Sequence, residues 1–219
     1  MIIKRLLSDI LYWAAANALL LLAAKDTANF LHDPKGKLLL GMLNIVWLVP
    51  VVGDVYVRRD KIKVCAKEYC YYLTMGVLLI ELVGSVYEYT HLRIENNITR
   101  IETTVGLIAI CAGFLISTVG WLSIRRYAAP RFQIIEGHKV VDRGLYRFIR
   151  HPIWLSFFLI ASGVPILLRS AAGLLILIII VTPAWLYVIK KEEEFLLSML
   201  GDEYRSYIGR TKRLIPFVY

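Results

Sequence analysis

Two short polar stretches carry side chains that complement one another chemically. The first, GLYRFIRHPIW at 144–154, sets Arg150, His151 and Pro152 at the threshold of an apolar segment. The second, KKEEEFL at 190–196, sets Glu192, Glu193 and Glu194 at the end of the next one. Guanidinium and imidazole groups take carboxylates, and carboxylates take ammonium or other cations. Brought together at a membrane surface, the two sets would bind a ligand carrying both charges. Gly137 and Gly144 bracket a turn-rich stretch, Pro152 biases His151 away from helical geometry, and Tyr146 and Trp154 flank the cluster. Simpler roles exist for each part: a basic loop drawn to anionic lipid, a solvated glutamate face, a surface histidine at His138.

The elements that would position these residues are apolar. Hydrophobic residues make up 58% of the 219 positions, well above a soluble domain, and mark a membrane protein. Six runs approach the length that crosses a hydrocarbon core: roughly 6 to 24, 38 to 57, 69 to 87, 103 to 124, 153 to 168 and 171 to 189. The first, preceded by Lys4 and Arg5, reads as a retained anchor rather than a cleaved signal. Only Arg169 and Ser170 separate the last two, which must fold back as an antiparallel hairpin. That hairpin brings RHPIW and KKEEEFL to the same side. The expected architecture is therefore all-α, a polytopic membrane protein of about six spans. Residues 1–125 form lipid-facing support, and 126–219 a functional region built on the hairpin 153–189.

Orientation follows from basic residues, which stay cytoplasmic near helix ends. Of the 26 Lys and Arg, 20 fall before 6, at 58–68, at 125–152 and after 189, and six in the opposite loops. Both termini and the 125–152 loop should be cytoplasmic, and the net charge of +9 reflects topology rather than nucleic-acid binding. In the fourth run Gly106, Ala109, Gly113, Ser117 and Gly120 recur every three or four residues, a stripe suited to close helix packing within the chain or between copies. The tail GDEYRSYIGRTKRL reads as an amphipathic helix with Tyr204 and Tyr207 facing lipid or core. Asp54 and Glu81 lie in or beside apolar runs. Glu81 is expected to pair with a neighbouring helix, to stay protonated, or to line a substrate path.

Several chemistries lack a sequence basis. There is no GxGxxG, P-loop or HExxH, and Cys65, Cys70 and Cys111 form neither a CxxC nor an even set, so no metal site is expected. Asn97, Ile98 and Thr99 form a glycosylation triplet of little weight, and His32 and His91 receive no role.

The runs HKVVDRGLYRFIRHPIW and EEEFLLSMLGDEYRSYIGRTKRLIPF resemble, in order and spacing, the C-terminal half of the isoprenylcysteine carboxyl methyltransferases and their prokaryotic relatives. That family shares H-x-L-V, G-x-Y, RHP-x-Y, EE, FG-x-x-Y-x-x-Y and R-x-x-P. The resemblance covers about residues 131 to 219. It implies an integral membrane enzyme that binds S-adenosylmethionine at its cytoplasmic face and methylates a lipid-like acceptor from the bilayer, with no nucleic-acid partner. Carried over by position, Arg131, His138, Lys139, Val140, Val141, Tyr146, His151, Pro152, Ile153, Trp154 and Glu192 would hold the cofactor. Arg150, Lys191 and Glu193 are candidates on the substrate side. A carboxylate acceptor needs alignment and exclusion of water more than a general base; an amine or thiol acceptor would need a base such as Glu193 or His151.

Two positions depart from the family pattern. Val188 stands where an arginine commonly lies one helical turn before the first glutamate, and Trp154 replaces the tyrosine of RHP-x-Y. Competing expectations are a phospholipid N-methyltransferase, a dinucleotide-dependent sterol or enone reductase that shares an RHP-containing C-terminal half, and a noncatalytic lipid-binding protein.

Overall fold

The computed structural model describes residues 2–56, 62–65, 69–92, 100–124, 133–135 and 137–215, with side chains at 7–45, 69–92, 101–124 and 137–215. The described parts of all six apolar runs are largely helical. In chain order the helices are α1 (Ile2–Ala23), α2 (Thr27–His32), α3 (Pro34–Tyr56), α4 (Tyr69–His91), α5 (Arg100–Ile124), α6 (Pro152–Leu168), α7 (Ala171–Ile176), α8 (Thr182–Leu200) and α9 (Asp202–Arg210). A π-helical turn at Leu177–Val181 joins α7 to α8, so Ala171–Leu200 is one continuous rod. Pro183 in the first turn of α8 has no N–H to donate, which accounts for the irregular hydrogen bonding before it. Among the described residues, the departure from an all-helical fold is one short antiparallel pair of strands, β1 (Ile62–Cys65) and β2 (Gln133–Ile135).

Among the described residues, three helices are long and apolar enough to cross a membrane: Tyr69–His91, Ile101–Ile124 and Ala171–Leu200. Two shorter apolar helices, Leu7–Ala23 and Pro152–Leu168, accompany them. The Asn97 triplet, Arg131, and the side chains of Asp54 and Cys65 lie outside the described residues.

The small-residue stripe of α5 packs within the chain, against α6, and this is the most extensive helix contact among the described residues. A Cβ added at Gly106 would stand 2.8 Å from the Gly163 carbonyl oxygen, and one at Gly113 would stand 2.8 Å from that of Ser156. Only glycine lets these backbones approach so closely. Residue numbers rise along α5 as they fall along α6, so the two run antiparallel. In the same way α4 follows the rod from Tyr69 beside Tyr187, through Trp185 donating to the Thr74 carbonyl at 3.4 Å, to Gly84 against Ile176. Trp185 is fully buried, edge-on to Phe158 and Trp154 at 5.0 and 5.8 Å between ring centroids.

The hairpin turn is fastened by polar groups. Arg169 adopts the left-handed conformation that ends α6. Ser170 Oγ caps α7 by accepting the Gly173 N–H at 2.8 Å and itself donates to Glu88 at 2.6 Å; the same Glu88 oxygen takes the Ala172 N–H. Lys35 donates to the Leu167 carbonyl at 2.9 Å, and Arg169 meets Glu102. Glu81 is completely buried and accepts from Ser85 at 3.0 Å; its other oxygen has no hydrogen-bond partner among the described residues.

Candidate functional site

At the other end of the hairpin, local geometry is set by a glycine turn. Gly144 has φ +59°, a left-handed conformation that favours glycine, and a Cβ there would stand 2.5 Å from Ser123 Oγ, so the serine hydroxyl would have to turn away. The 3-10 turn Gly144–Arg147 follows, held to the end of α5 by Arg143 Nε donating to the Ser123 carbonyl at 2.9 Å. The chain then runs beside the tail as an isolated parallel bridge, Ile149 to Lys212, with Arg150 N–H on the Lys212 carbonyl and His151 N–H on that of Arg213. Pro152, its φ already helical, opens α6.

The two polar stretches do meet here. Glu193 is buried and saturated. Its Oε1 accepts Arg150 Nε at 2.8 Å and lies 3.2 Å from His151 Nε2, while its Oε2 accepts Arg213 Nε and Nη2 at 3.0 and 2.6 Å. Arg150 is held further by Nη1, which donates to the carbonyls of Ile208 and Thr211. Glu192 differs. Trp154 Nε1 donates to its Oε2 at 2.7 Å, His151 Nδ1 approaches the same oxygen at 3.6 Å, and Oε1 accepts no hydrogen bond from the described residues.

These groups lie beyond the apolar part of the rod, which ends at 189, and their titration diverges. Burial pushes the Glu192 carboxyl up, against the pull of His151 and the Trp154 N–H. Burial would also raise Glu193, but hydrogen bonds from His151, Arg213 and Arg150 outweigh it and hold that carboxyl well below the usual range. Burial raises the Tyr146 and Tyr204 phenols, helped by the charge of Glu192. His138 is lowered by burial, against the opposing charge of Glu203.

A cavity of about 560 Å³ opens beside Glu192. Of the residues singled out in the sequence, His138, Val140, Val141, Tyr146, Arg150, His151, Ile153, Trp154 and Glu192 line it. Lys139, Pro152, Lys191 and Glu193 are not among its lining residues, and Arg131 is outside the described residues. Lys191 instead pairs with Glu194 at 2.7 Å, over the Tyr187 ring. Val188 is buried in the core cluster with Trp154 and Trp185, not against the cavity.

The cavity continues away from these polar groups along the apolar side chains of Ile45, Met75, Phe114, Phe157 and Ile160, with Thr74, Ser117 and Thr118 among its walls, while Trp121 and Leu122 line it from the end of α5 that meets the Gly144 turn. Sequence reasoning assigned none of these, although the stripe on α5 contained Ser117. Tyr204 and Tyr207, expected to face lipid or core, are both buried, and both also line the cavity. The Tyr204 hydroxyl is buried with no hydrogen-bond partner among the described residues, and Tyr207 donates to the Tyr146 carbonyl at 2.6 Å. Glu203 accepts the Val140 N–H at 3.0 Å, so α9 ties down the loop that carries His138.

Comparison with known proteins points to the same region. Residues 105–198 match the model of the isoprenylcysteine carboxyl methyltransferase (ICMT) family. The protein-S-isoprenylcysteine O-methyltransferase of Schizosaccharomyces pombe is 31% identical over 83 residues, 38% of this chain and 35% of that protein. Methanethiol S-methyltransferase 1 of Bradyrhizobium diazoefficiens is 42% identical over 74 residues, 33% of this chain and 25% of that protein. The protein-S-isoprenylcysteine O-methyltransferase B of Arabidopsis thaliana is 24% identical over 150 residues, 68% of this chain and 74% of that protein. The chain thus spans about a third or less of the length of the first two relatives.

Proposed function

We propose that the chain, whose residues 105–198 match the isoprenylcysteine carboxyl methyltransferase family, is a multi-pass membrane methyltransferase. It uses S-adenosylmethionine and acts on a lipid-like acceptor, by preference the carboxylate of an isoprenylcysteine-type amphiphile. The observation that carries this reading is one cavity with a polar end at Glu192, His151 and Tyr146 and an apolar arm between helices. Both termini face the cytosol in this reading.

The residues at the polar end fit the cofactor. Glu192 keeps one carboxylate oxygen clear of the described residues, the Tyr204 hydroxyl has no protein partner among them, and the rings of Tyr146 and Trp154 present faces suited to cations. Glu192 would hold the ammonium or sulfonium, and His138, Val140 and Val141 the adenine. When bound, S-adenosylmethionine supplies an electrophilic methyl group on a sulfonium. The chain's own contribution is to orient and to exclude water. A carboxylate acceptor is already ionised at neutral pH, so Glu193, locked in ion pairs, has no proton to take. The walls of Phe114, Phe157 and Ile160 keep the acceptor's apolar portion dry and fix its approach.

A second reading, thiol S-methylation, is favoured by the 42% identity to a protein named for methanethiol. A largely apolar arm within a 560 Å³ cavity favours a larger amphiphile over so small a thiol.

The test is titration of the purified protein in detergent with S-adenosylmethionine, then with reduced dinucleotide, followed by methyl transfer to N-acetyl-S-farnesylcysteine, methanethiol and an aminophospholipid. Binding of the methyl donor with transfer to the farnesylcysteine is expected. Binding of dinucleotide alone would overturn the methyltransferase reading, and transfer only to thiol or amine would replace the acceptor.

A further inference from the structure

Trp154 occupies a family tyrosine position, and its surroundings give it a task beyond filling space. The residue is 5% exposed, and its ring is held edge-on against Trp185 and Phe157, each 5.8 Å away between centroids. An indole N–H, unlike a phenol hydroxyl, has no rotor, so packing of the ring fixes where the donor points. It points at Glu192 Oε2, 2.7 Å away, and is the one hydrogen bond that the Glu192 side chain accepts among the described residues. His151 Nδ1 at 3.6 Å is too far to take its place. Glu193, next along α8, accepts four side-chain contacts from three bases and needs no such help.

We infer that Trp154 is a positioning residue: its N–H anchors Glu192 through Oε2, leaving Oε1 for a cationic group of the ligand. The inference rests on the methyltransferase reading for the identity of that ligand, though not for the interaction between the two side chains. Other groups act on Glu192 as well: His151 at the start of α6, Glu193 on α8 with its partners Arg150 and Arg213, Tyr146 from the loop and Tyr204 from α9. All of them remain when Trp154 is changed to Phe. That substitution keeps an aromatic ring and removes the donor alone.

The experiment measures S-adenosylmethionine binding by calorimetry, on the full chain in detergent, for wild type, W154F, E192Q and the double variant across pH 5 to 8. W154F should bind roughly tenfold more weakly, the size of one charge-assisted hydrogen bond. Its loss of affinity on acidification should begin about one pH unit higher, because a carboxylate stripped of its donor protonates more readily. In the E192Q background W154F should add nothing, since Trp154 acts through that carboxylate. Additive losses, or an unmoved acid limb in a folded W154F, would overturn the inference. Ligand-free protein supplies the independent arm: the infrared carboxyl band identified by its absence in E192Q should titrate about one unit higher in W154F. If wild type binds no S-adenosylmethionine but this band moves, the functional reading falls and the positioning role stands; a band at the same pH in both proteins sinks the latter.

Discussion

The two ends of the hairpin use similar residues to different effect. At the turn, Lys35, Glu88 and Ser170 close helix ends, with Glu88 taking both the Ser170 hydroxyl and the Ala172 N–H. At the His151 end, Glu193 is spent in the same fashion on Arg150, His151 and Arg213. One helical position away, Glu192 keeps an oxygen clear of the described residues and borders a cavity. Chemical type does not separate scaffold from site here; hydrogen-bonding capacity left over, beside open space, does.

The largest test of that distinction is Glu193→Gln. It would leave Arg150 and Arg213 facing a neutral amide in a buried setting, a mechanism that costs about 3 kcal/mol. Thermal unfolding in detergent should show a correspondingly lower midpoint and a tail more open to proteolysis after α9. Glu192→Gln should do the reverse. Stability should hold within about 1 kcal/mol, because the Trp154 N–H can still donate to the amide oxygen. S-adenosylmethionine affinity should fall about thirtyfold, near 2 kcal/mol, for loss of a charged partner. Equal destabilisation by the two changes would dissolve the contrast between scaffold and site.

How far this was legible in the sequence follows the same division. The hairpin was legible because two residues cannot span the distance between helices that are not neighbours. The seam of α5 was legible because glycine spacing reports backbone approach. The meeting of RHP with EEE followed from both. The distribution of labour between Glu192 and Glu193 was not legible, because Arg213 and the carbonyls of Ile208 and Thr211 arrive from a tail whose path no local pattern specifies. Val188 was readable as a departure, but not as a core residue, since the rotation of α8 depends on the π turn at Leu177–Val181. Tyr204 looked like the apolar face of an amphipathic helix, and burial alone does not reveal that the buried face meets a cavity.

A smaller effect should mark the turn. Ser170→Ala removes the cap of α7 and one of the two donors to Glu88, worth about 1 kcal/mol. The measurement is the same unfolding midpoint, paired with S-adenosylmethionine titration. Affinity should be unchanged, since the turn and the Glu192 cavity lie at opposite ends of the hairpin. A matching loss of affinity would mean that the two ends are coupled through the rod, and that the turn is more than a fastening.

The smallest effect is also the one in which the adjacent glutamates differ in sign. Glu193 is held below the unfolded value of about 4.3, so its contribution is complete above that pH and is lost as pH falls toward the folded value. Glu192 is raised, so its contribution is complete below about 4.3 and is lost as pH rises through its folded value. Acidifying from pH 6 to 4 therefore weakens the fold through one carboxylate and strengthens it through its neighbour, so the two contributions oppose each other. The variants separate the two contributions. Unfolding midpoints of E192Q should fall more steeply than wild type over this range, because only the loss at Glu193 remains. Those of E193Q should fall less or rise. Parallel curves for all three proteins would show that the two carboxylates share one environment, against the hydrogen bonding that distinguishes them.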